Sequence, residues 1–205
     1  MGWQPTLAPD DLKAWLATAV VVALATAYLA HAYAASSRKR RIAPSFFDLA
    51  CAGPDGAPVF LADRKGKTTL VCNVASRSPK APVHYRELCD LSKQYAARGF
   101  EVLAFPCAQF GGMPEEGADD DAGAAAARDF ADLVRAPVGL RLMGRVDVEG
   151  ADESPVFAFL KARCPLPRLL SDFHVYYLVR ADGRVTAHRG PPSALLNDVQ
   201  QAVSR

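Results

Sequence analysis

The sequence contains no closely spaced pair of cysteines, or of cysteine and histidine, of the kind that binds zinc. The cysteines number five, an odd count, and no Cys-x-x-Cys motif occurs. Neither a disulfide framework nor a zinc site is therefore supported, and we predict no metal or other cofactor. Free thiols in such a pattern favour a reducing compartment. The cysteines are Cys51, Cys72, Cys89, Cys107 and Cys164.

Neither positive nor negative charge is in clear excess. The chain has 24 Lys and Arg against 22 Asp and Glu, a net charge of +2. Such a balance does not form the extended basic surface that nucleic acids need, so no nucleic-acid partner is predicted. The 205 residues, half of them hydrophobic, fit one ordinary domain with an appendage.

Charged residues are missing altogether from Ala14 to Ala35. As a helix this segment would be roughly 33 Å long, against about 30 Å for the hydrocarbon core of a bilayer. The sequence therefore predicts one transmembrane helix over residues 14–35, after an N-terminal tail over 1–13. Ala19, Ala23 and Ala27 form a small-residue face that favours packing against other membrane subunits as well as lipid.

A basic cluster follows directly and predicts the orientation. Arg38, Lys39, Arg40 and Arg41 lie in a linker over residues 36–44 and are hard to translocate. The domain over residues 45–205 is therefore expected on the cytosolic or matrix side. A cleaved signal peptide, a mitochondrial presequence and a buried soluble helix are the alternatives. The acidic residues near the start are atypical of the first two, and such a long apolar stretch is rare in a small domain.

From residue 45 onward, short apolar runs alternate with amphipathic segments. This order predicts an α/β domain whose central sheet has helices on both faces. An acidic loop, Glu115 to Asp121, opens an Ala-rich helix, and solvation of this loop is favoured over cation binding. The predicted strands are a hairpin of Ser45–Ala50 with Pro58–Leu61, then Thr68–Val74, Glu101–Phe105, Leu140–Val148, Val175–Val179 and Arg184–His188. The other predicted helices are Pro82–Arg98, Pro155–Ala162 and Ser193–Val203.

Three motifs carry a resemblance to a known family. They are Lys65-Gly66-Lys67 with Asn73-Val74-Ala75-Ser76, then Phe105-Pro106-Cys107-Ala108-Gln109-Phe110-Gly111-Gly112, and Val146-Asp147-Val148-Glu149-Gly150 with the helix Pro155 to Lys161. In order and spacing they resemble the glutathione peroxidase family. The resemblance covers about residues 45 to 203 and implies a thioredoxin-like mixed sheet flanked by helices.

At the family's chemical positions the sequence departs from the pattern. The family's nucleophile, a Cys or selenocysteine two residues after the Asn-Val-Ala-Ser motif, corresponds to Ser78. The family's Gln partner is retained as Gln109, a residue that loop geometry alone could also explain. Ungapped counting places Asp172 and Phe173 at the positions of the family's Trp-Asn pair. No cysteine occurs between Cys107 and Cys164, where thioredoxin-dependent members have a resolving cysteine.

These departures predict an inactive protein. We expect a pseudoenzyme that serves as an accessory subunit of a larger membrane complex. A respiratory complex of the mitochondrial inner membrane is favoured by analogy. The alternative enzyme is an anchored thiol peroxidase that uses a non-standard cysteine such as Cys107. Two weaker alternatives are acyl transfer by Ser78 with His84 as base, and a free-standing single-pass protein that binds a redox partner.

Overall fold

The central sheet of this computed structural model forms where the sequence is richest in buried β-branched and aromatic residues. The structure describes residues 42–75, 78–110, 139–164, 173 and 175–204. The sheet contains β3 to β7, in the order β5-β4-β3-β6-β7. A separate two-stranded hairpin of β1 and β2 precedes it. The strands are β1 (Ala50–Ala52), β2 (Pro58–Phe60), β3 (Thr68–Val74), β4 (Phe100–Pro106), β5 (Leu140–Leu142), β6 (Tyr176–Val179) and β7 (Val185–His188).

The sheet is mixed in direction, as predicted. β4 runs parallel to β3 and to β5, whereas β6 runs antiparallel to β3 and to β7. Every residue of β3 and of β4 is buried, because both faces of these central strands are covered. The helices are α1 (Ala81–Tyr95), α2 (Pro155–Arg163) and α3 (Leu196–Ala202).

Each face of the sheet packs against its own helices. One core, here called the α2 face, joins side chains of β3, β4 and β6 to helix α2 and to the turn at Phe46–Asp48. The other, the α1 face, joins the alternate side chains of the same strands to α1 and α3. The α2 face includes Phe46, Val71, Leu103, Phe105, Cys107, Phe157 and Tyr177. The α1 face includes Leu70, Cys72, Leu88, Val102, Leu178 and Val199.

Local sequence signals account for the ends of the two main helices. Ser154 caps α2, since its hydroxyl accepts a hydrogen bond from Val156 N at 3.3 Å, and Pro155 occupies the first turn. Helix α1 passes into a 3₁₀ turn that stops at Gly99, whose φ of +78° is left-handed. These boundaries agree closely with the predicted ones.

The strand predicted from Leu140 to Val148 is the main error in the elements. Regular pairing stops at Leu142, because the chain then bonds to the small hairpin: Gly144 N donates to Ala52 O at 2.7 Å. A side chain at Gly144 would put its Cβ 2.8 Å from Gly53 O, so the approach requires glycine. The acidic loop and the Ala-rich helix lie outside the described residues, as does the segment Ala14 to Ala35. Among the residues that are described, no helix is long and apolar enough to cross a bilayer.

A buried ion pair at one end of the sheet leads to a stability prediction. The Glu101 carboxylate lies 3.3 Å from Arg64 Nε and accepts a hydrogen bond from Thr69 Oγ1 at 3.4 Å. Glu101 and Arg64 are both buried, and the Arg64 Nε–H is not aligned for a hydrogen bond, so their attraction is coulombic. Glu101→Ala is expected to lower the free energy of unfolding by about 3 kcal/mol, because it leaves a buried guanidinium unpaired.

Urea denaturation measures this loss. The matched control is Arg184→Ala, which removes an ion pair of 3.6 Å to Asp182 in which both side chains are exposed. That change is expected to cost no more than about 0.5 kcal/mol. Equal losses in the two variants would contradict the assignment.

Candidate functional site

Ser78 lies in the turn that leads into α1. Its side chain is buried, its Oγ accepts a hydrogen bond from Lys80 N at 3.4 Å, and its carbonyl accepts one from Ala81 N at 2.9 Å. Serine hydroxyls commonly make such local bonds at the start of a helix. The hydroxyl therefore has a conformational role that does not need a reactive oxygen.

His84 does not form the pair with Ser78 that acyl transfer requires. Its Nδ1 lies 2.5 Å from the hydroxyl of Tyr176, and no hydrogen bond within the described part of the chain joins it to Ser78. Burial lowers the pKa of His84 and raises that of Tyr176, which favours a neutral imidazole and a protonated phenol. Nδ1 of a neutral His84 can accept a hydrogen bond from the Tyr176 hydroxyl, which keeps its proton. The structure thus gives no support to Ser78 as an acyl-transfer nucleophile.

Phe173 packs against the same histidine. Its ring centroid lies 5.1 Å from that of His84 and 5.2 Å from that of Tyr85. The residue is buried and has a φ of +52°, a left-handed conformation that is unusual for a bulky side chain. Phe173 and His84 line a cavity of about 210 Å³ together with Lys80, Gly190 and Pro191. Asp172, the other residue predicted at this position, lies outside the described residues.

Cys107 occupies the end of β4 where the chain leaves the sheet. Its side chain is fully buried in the α2 face, and its backbone N–H donates to Val74 O at 3.0 Å. Its Sγ lies 3.7 Å from Oε1 of Gln109, within hydrogen-bonding distance for sulfur. The loop after β4 therefore brings a thiol and a carboxamide into direct contact.

Gln109 also connects this loop to a second one. Its Oε1 accepts hydrogen bonds from Val148 N at 2.8 Å and Glu149 N at 3.1 Å, and its Nε2 donates to Glu149 O at 2.7 Å. Among the described residues, the side-chain hydrogen bonds of Gln109 reach neither Ser78 nor Phe173. The three predicted site residues that are described are therefore not joined by direct bonds: Gln109 contacts Cys107, and Phe173 contacts His84.

Lys161 is a site residue that the sequence reasoning missed. Its Nζ donates to Val148 O at 2.9 Å and forms an ion pair of 2.7 Å with Glu153. The turn at Val148 and Glu149 is thus bonded from two sides, by Lys161 in α2 and by Gln109 in the loop after β4. The available signal was the motif from Pro155 to Lys161, which was used only to recognise a helix.

The geometry of Gln109 predicts a loss of stability when its side chain is truncated. Gln109→Ala leaves the N–H groups of Val148 and Glu149 without their acceptor, so we expect the free energy of unfolding to fall by about 2 kcal/mol. Gln109→Glu keeps an acceptor oxygen for both groups and should lose only about half as much. Urea denaturation checks both variants. A Gln109→Ala variant as stable as the wild type would contradict a stabilising role for these Gln109 hydrogen bonds.

The other thiols lie in surroundings that disfavour the thiolate. Burial raises the pKa of Cys51 to about 11 and that of Cys72 to about 12. Burial also raises the pKa of Cys89 and of Cys164. Within the described ranges, no group of three or more His, Cys, Asp or Glu side chains is placed to hold a metal ion.

Comparison with known proteins identifies relatives across most of the domain. A family profile for glutathione peroxidase matches residues 46–161, more than half of the chain. The glutathione peroxidase-like peroxiredoxin GPX5 of Chlamydomonas reinhardtii is 31% identical over 166 residues, which cover 78% of this chain and 98% of that protein. The chloroplastic phospholipid hydroperoxide glutathione peroxidase 1 of Arabidopsis thaliana is 33% identical over 73% of this chain, but the match spans only 63% of its own length.

Solved structures agree with the fold. The crystal structure of Trgpx in its apo form superposes with a TM-score of 0.60 at 25% identity, covering 80% of this chain and 98% of that one. A thioredoxin-family thiol:disulfide interchange protein from Chlorobium tepidum has a TM-score of 0.50 at 16% identity, which reflects the fold alone. The thioredoxin-like α/β fold predicted from the motifs is therefore confirmed.

The comparisons correct three predictions. The expectation of an inactive accessory subunit, and hence of a pseudoenzyme, is wrong because the family and its named relatives are peroxidases. The expectation of a single-pass protein of the mitochondrial inner membrane is also wrong. Relatives are named as chloroplastic as well as mitochondrial, and no helix within the described ranges could span a membrane. Predicted partners among membrane subunits stay a prediction.

These predictions were wrong because residues that differ from the family motif were taken to mean that activity is lost. The substitutions at Ser78 and Phe173 alter one group of residues, but they do not touch the contact between Cys107 and Gln109. Fold, motif order and the matched span of residues 46–161 all agree. This chain belongs to the glutathione peroxidase family.

Proposed function

We propose that this protein is a thiol-dependent peroxidase that reduces hydroperoxides at Cys107. The observation that carries the proposal is the 3.7 Å contact between Cys107 Sγ and Gln109 Oε1 at the end of β4, in a domain whose relatives are named as peroxidases. The names of the relatives supply the substrate class, a hydroperoxide. The contact supplies the candidate thiol.

The choice of cysteine follows from the chemistry at Ser78. By its place in the motif, Ser78 corresponds to the family's nucleophile, but a serine hydroxyl keeps its proton and gives no reducible sulfur oxide. Peroxide reduction in this chain therefore needs one of its five thiols. Cys107 is the thiol in contact with the retained Gln109, and for this reason it is the one assigned to the reaction.

The proposed reaction begins when the Cys107 thiolate attacks the terminal oxygen of the hydroperoxide. The O–O bond breaks, and the alkoxide takes a proton and leaves as an alcohol. The sulfur, oxidised by two electrons, remains as a sulfenic acid. One external thiol condenses with it, releasing water and forming a mixed disulfide, and a second external thiol restores Cys107 and leaves as a disulfide.

The reductant is expected to be an external thiol because the chain offers no cysteine in the segment after Cys107 where a resolving one is expected. Cys107 is fully buried, so peroxide reaches it only when the surrounding structure opens locally. The rate is therefore expected to be that of the exposed thiolate multiplied by the fraction of open molecules.

Consumption of hydroperoxide by the full-length protein tests this function. Purified protein is mixed with an organic hydroperoxide and glutathione, and the loss of peroxide is followed against a sample without protein. We expect turnover that depends on both the protein and the thiol. A rate no higher than that of glutathione alone, or of a thiol-blocked protein, would refute the function.

A further inference from the structure

Asn73 is a fully buried polar side chain in the centre of the sheet. It lies in β3, where its Cα pairs with that of Phe105 in β4. Side chains alternate along a strand, so Asn73 lies on the same face as Val71, which is the α2 face. A carboxamide in this position is surrounded by apolar side chains such as Leu103 and Phe105.

Both polar atoms of this carboxamide lack a hydrogen-bond partner. Neither Nδ2 nor Oδ1 of Asn73 finds a donor or acceptor within the described part of the chain. Buried amides are almost always paired, and each exception needs an explanation such as a ligand, a water or a reactive group. An apolar side chain of similar size would fill the space without that cost, so stability alone does not account for Asn73.

Cys107, the cysteine of the proposed reaction, lies on this same face. Asn73 pairs with Phe105, so Cys107 follows two residues farther along the same side of the neighbouring chain. Neighbouring strands lie about 4.8 Å apart and rise about 3.3 Å per residue, so positions in this diagonal relation are roughly 8 Å apart. The space between a carboxamide and a sulfur at this separation suits one oxygen atom.

We propose that the Asn73 carboxamide donates a hydrogen bond to the oxygen that peroxide leaves on Cys107. This inference rests on the proposed peroxidase function. When the thiolate has attacked and the O–O bond has broken, the transferred oxygen is bonded to Sγ as the sulfenic hydroxyl, whose lone pairs can accept a hydrogen bond, while the negative charge passes to the alkoxide that leaves. Asn73 Nδ2–H then gains an acceptor where the described residues of the resting protein offer none. An interaction formed only as the reaction proceeds lowers the barrier, whereas one already present in the resting state does not.

Asn73→Leu tests the proposal, with Tyr177→Phe as the matched control. The Tyr177 hydroxyl is likewise buried, with no hydrogen-bond partner among the described residues, and its side chain belongs to the same face. Burial raises the pKa of Tyr177 to about 12, so the control removes a neutral hydroxyl at every working pH. Each variant of the full chain is treated with one equivalent of hydroperoxide, and the rate of sulfenic acid formation at Cys107 is followed by trapping and peptide mass spectrometry.

The two variants are expected to differ in reactivity but not in stability. Both should melt at the wild-type temperature or above it, since each loses an unpaired polar group. Asn73→Leu should slow oxidation of Cys107 about tenfold, the effect expected from the loss of one neutral hydrogen bond in the transition state. The pH of half-maximal rate should stay at the wild-type value, because Asn73 contacts the oxygen only after the thiolate has attacked. Tyr177→Phe should leave both the rate and the pH profile unchanged.

The outcomes separate the inference from the function on which it depends. A wild-type rate in Asn73→Leu, with Cys107 still oxidised, would overturn the role of Asn73 and leave the peroxidase function intact. Absence of Cys107 oxidation in the wild type would overturn both. If Asn73→Leu fails to fold, Asn73→Val, a strand-favouring residue without the amide, provides the same comparison.

Discussion

Cys107→Ser is expected to abolish the reduction of hydroperoxides by this protein. The substitution keeps the size of the side chain and an acceptor for neighbouring donors, but it replaces the only thiol in contact with Gln109 through the described hydrogen bonds. An alcohol is not oxidised by a hydroperoxide under these conditions, so no sulfenic acid can form. We expect peroxide consumption to fall to the rate of the external thiol alone.

The control is Cys89→Ser, which removes a half-buried thiol in α1 on the other side of the sheet. Its rate is expected to match that of the wild type. A Cys107→Ser variant that retains full activity, or a Cys89→Ser variant that loses it, would show that the reacting thiol has been misassigned. Circular dichroism of both variants verifies that the fold is unchanged.

Ser78→Cys is expected to give the largest gain in activity. The residue precedes the 15-residue helix α1, and the amide of Lys80 already points at its side-chain oxygen. A thiol near a helix N-terminus has a lowered pKa, so most of it is ionised at pH 7, compared with about 3% of an ordinary thiol. The lower nucleophilicity of a less basic thiolate offsets part of this gain. We expect peroxide reduction about tenfold faster than in the wild type.

Two further variants distinguish this effect from the mere addition of a thiol. Ser193→Cys places a cysteine at an exposed position beside the middle of α1, where Ser193 N donates to Glu87 Oε2 at 2.9 Å, and not before the helix N-terminus, so it is expected to change the rate little. The double variant Cys107→Ser with Ser78→Cys is expected to keep the gain, because the new thiol acts on its own. If Ser78→Cys is no faster than Ser193→Cys, the turn before α1 does not activate a thiol.

The elements that local patterns specify could be predicted closely from the sequence. β3 runs from Thr68 to Val74 as expected, because a β-branched apolar run is sufficient to indicate a strand that is covered on both faces. The start of α2 at Pro155 follows equally from its serine cap and its proline. The early end of β5 could not be predicted, since it depends on the contact of Gly144 with the distant hairpin.

The candidate site could be predicted only in part, because its defining contacts join distant positions. The motif identified Gln109, but its bonds to Val148 and Glu149 span about 40 residues and exist only once two loops meet. The absence of a hydrogen-bond partner for Asn73 among the described residues is likewise a property of the folded core. A substitution such as Ser78 can be read from the sequence, whereas its consequence depends on which other thiol the fold places beside a carboxamide.

Trapping of the oxidised cysteine tests the account most directly. Full-length protein is exposed to one equivalent of hydroperoxide in the presence of a reagent that is specific for sulfenic acids, then digested and analysed by peptide mass spectrometry. We predict that the adduct is found on the peptide that contains Cys107, and that one alcohol molecule forms for each adduct. An adduct confined to Cys51, Cys89 or Cys164, or no adduct while peroxide persists, would contradict Cys107 as the reacting thiol.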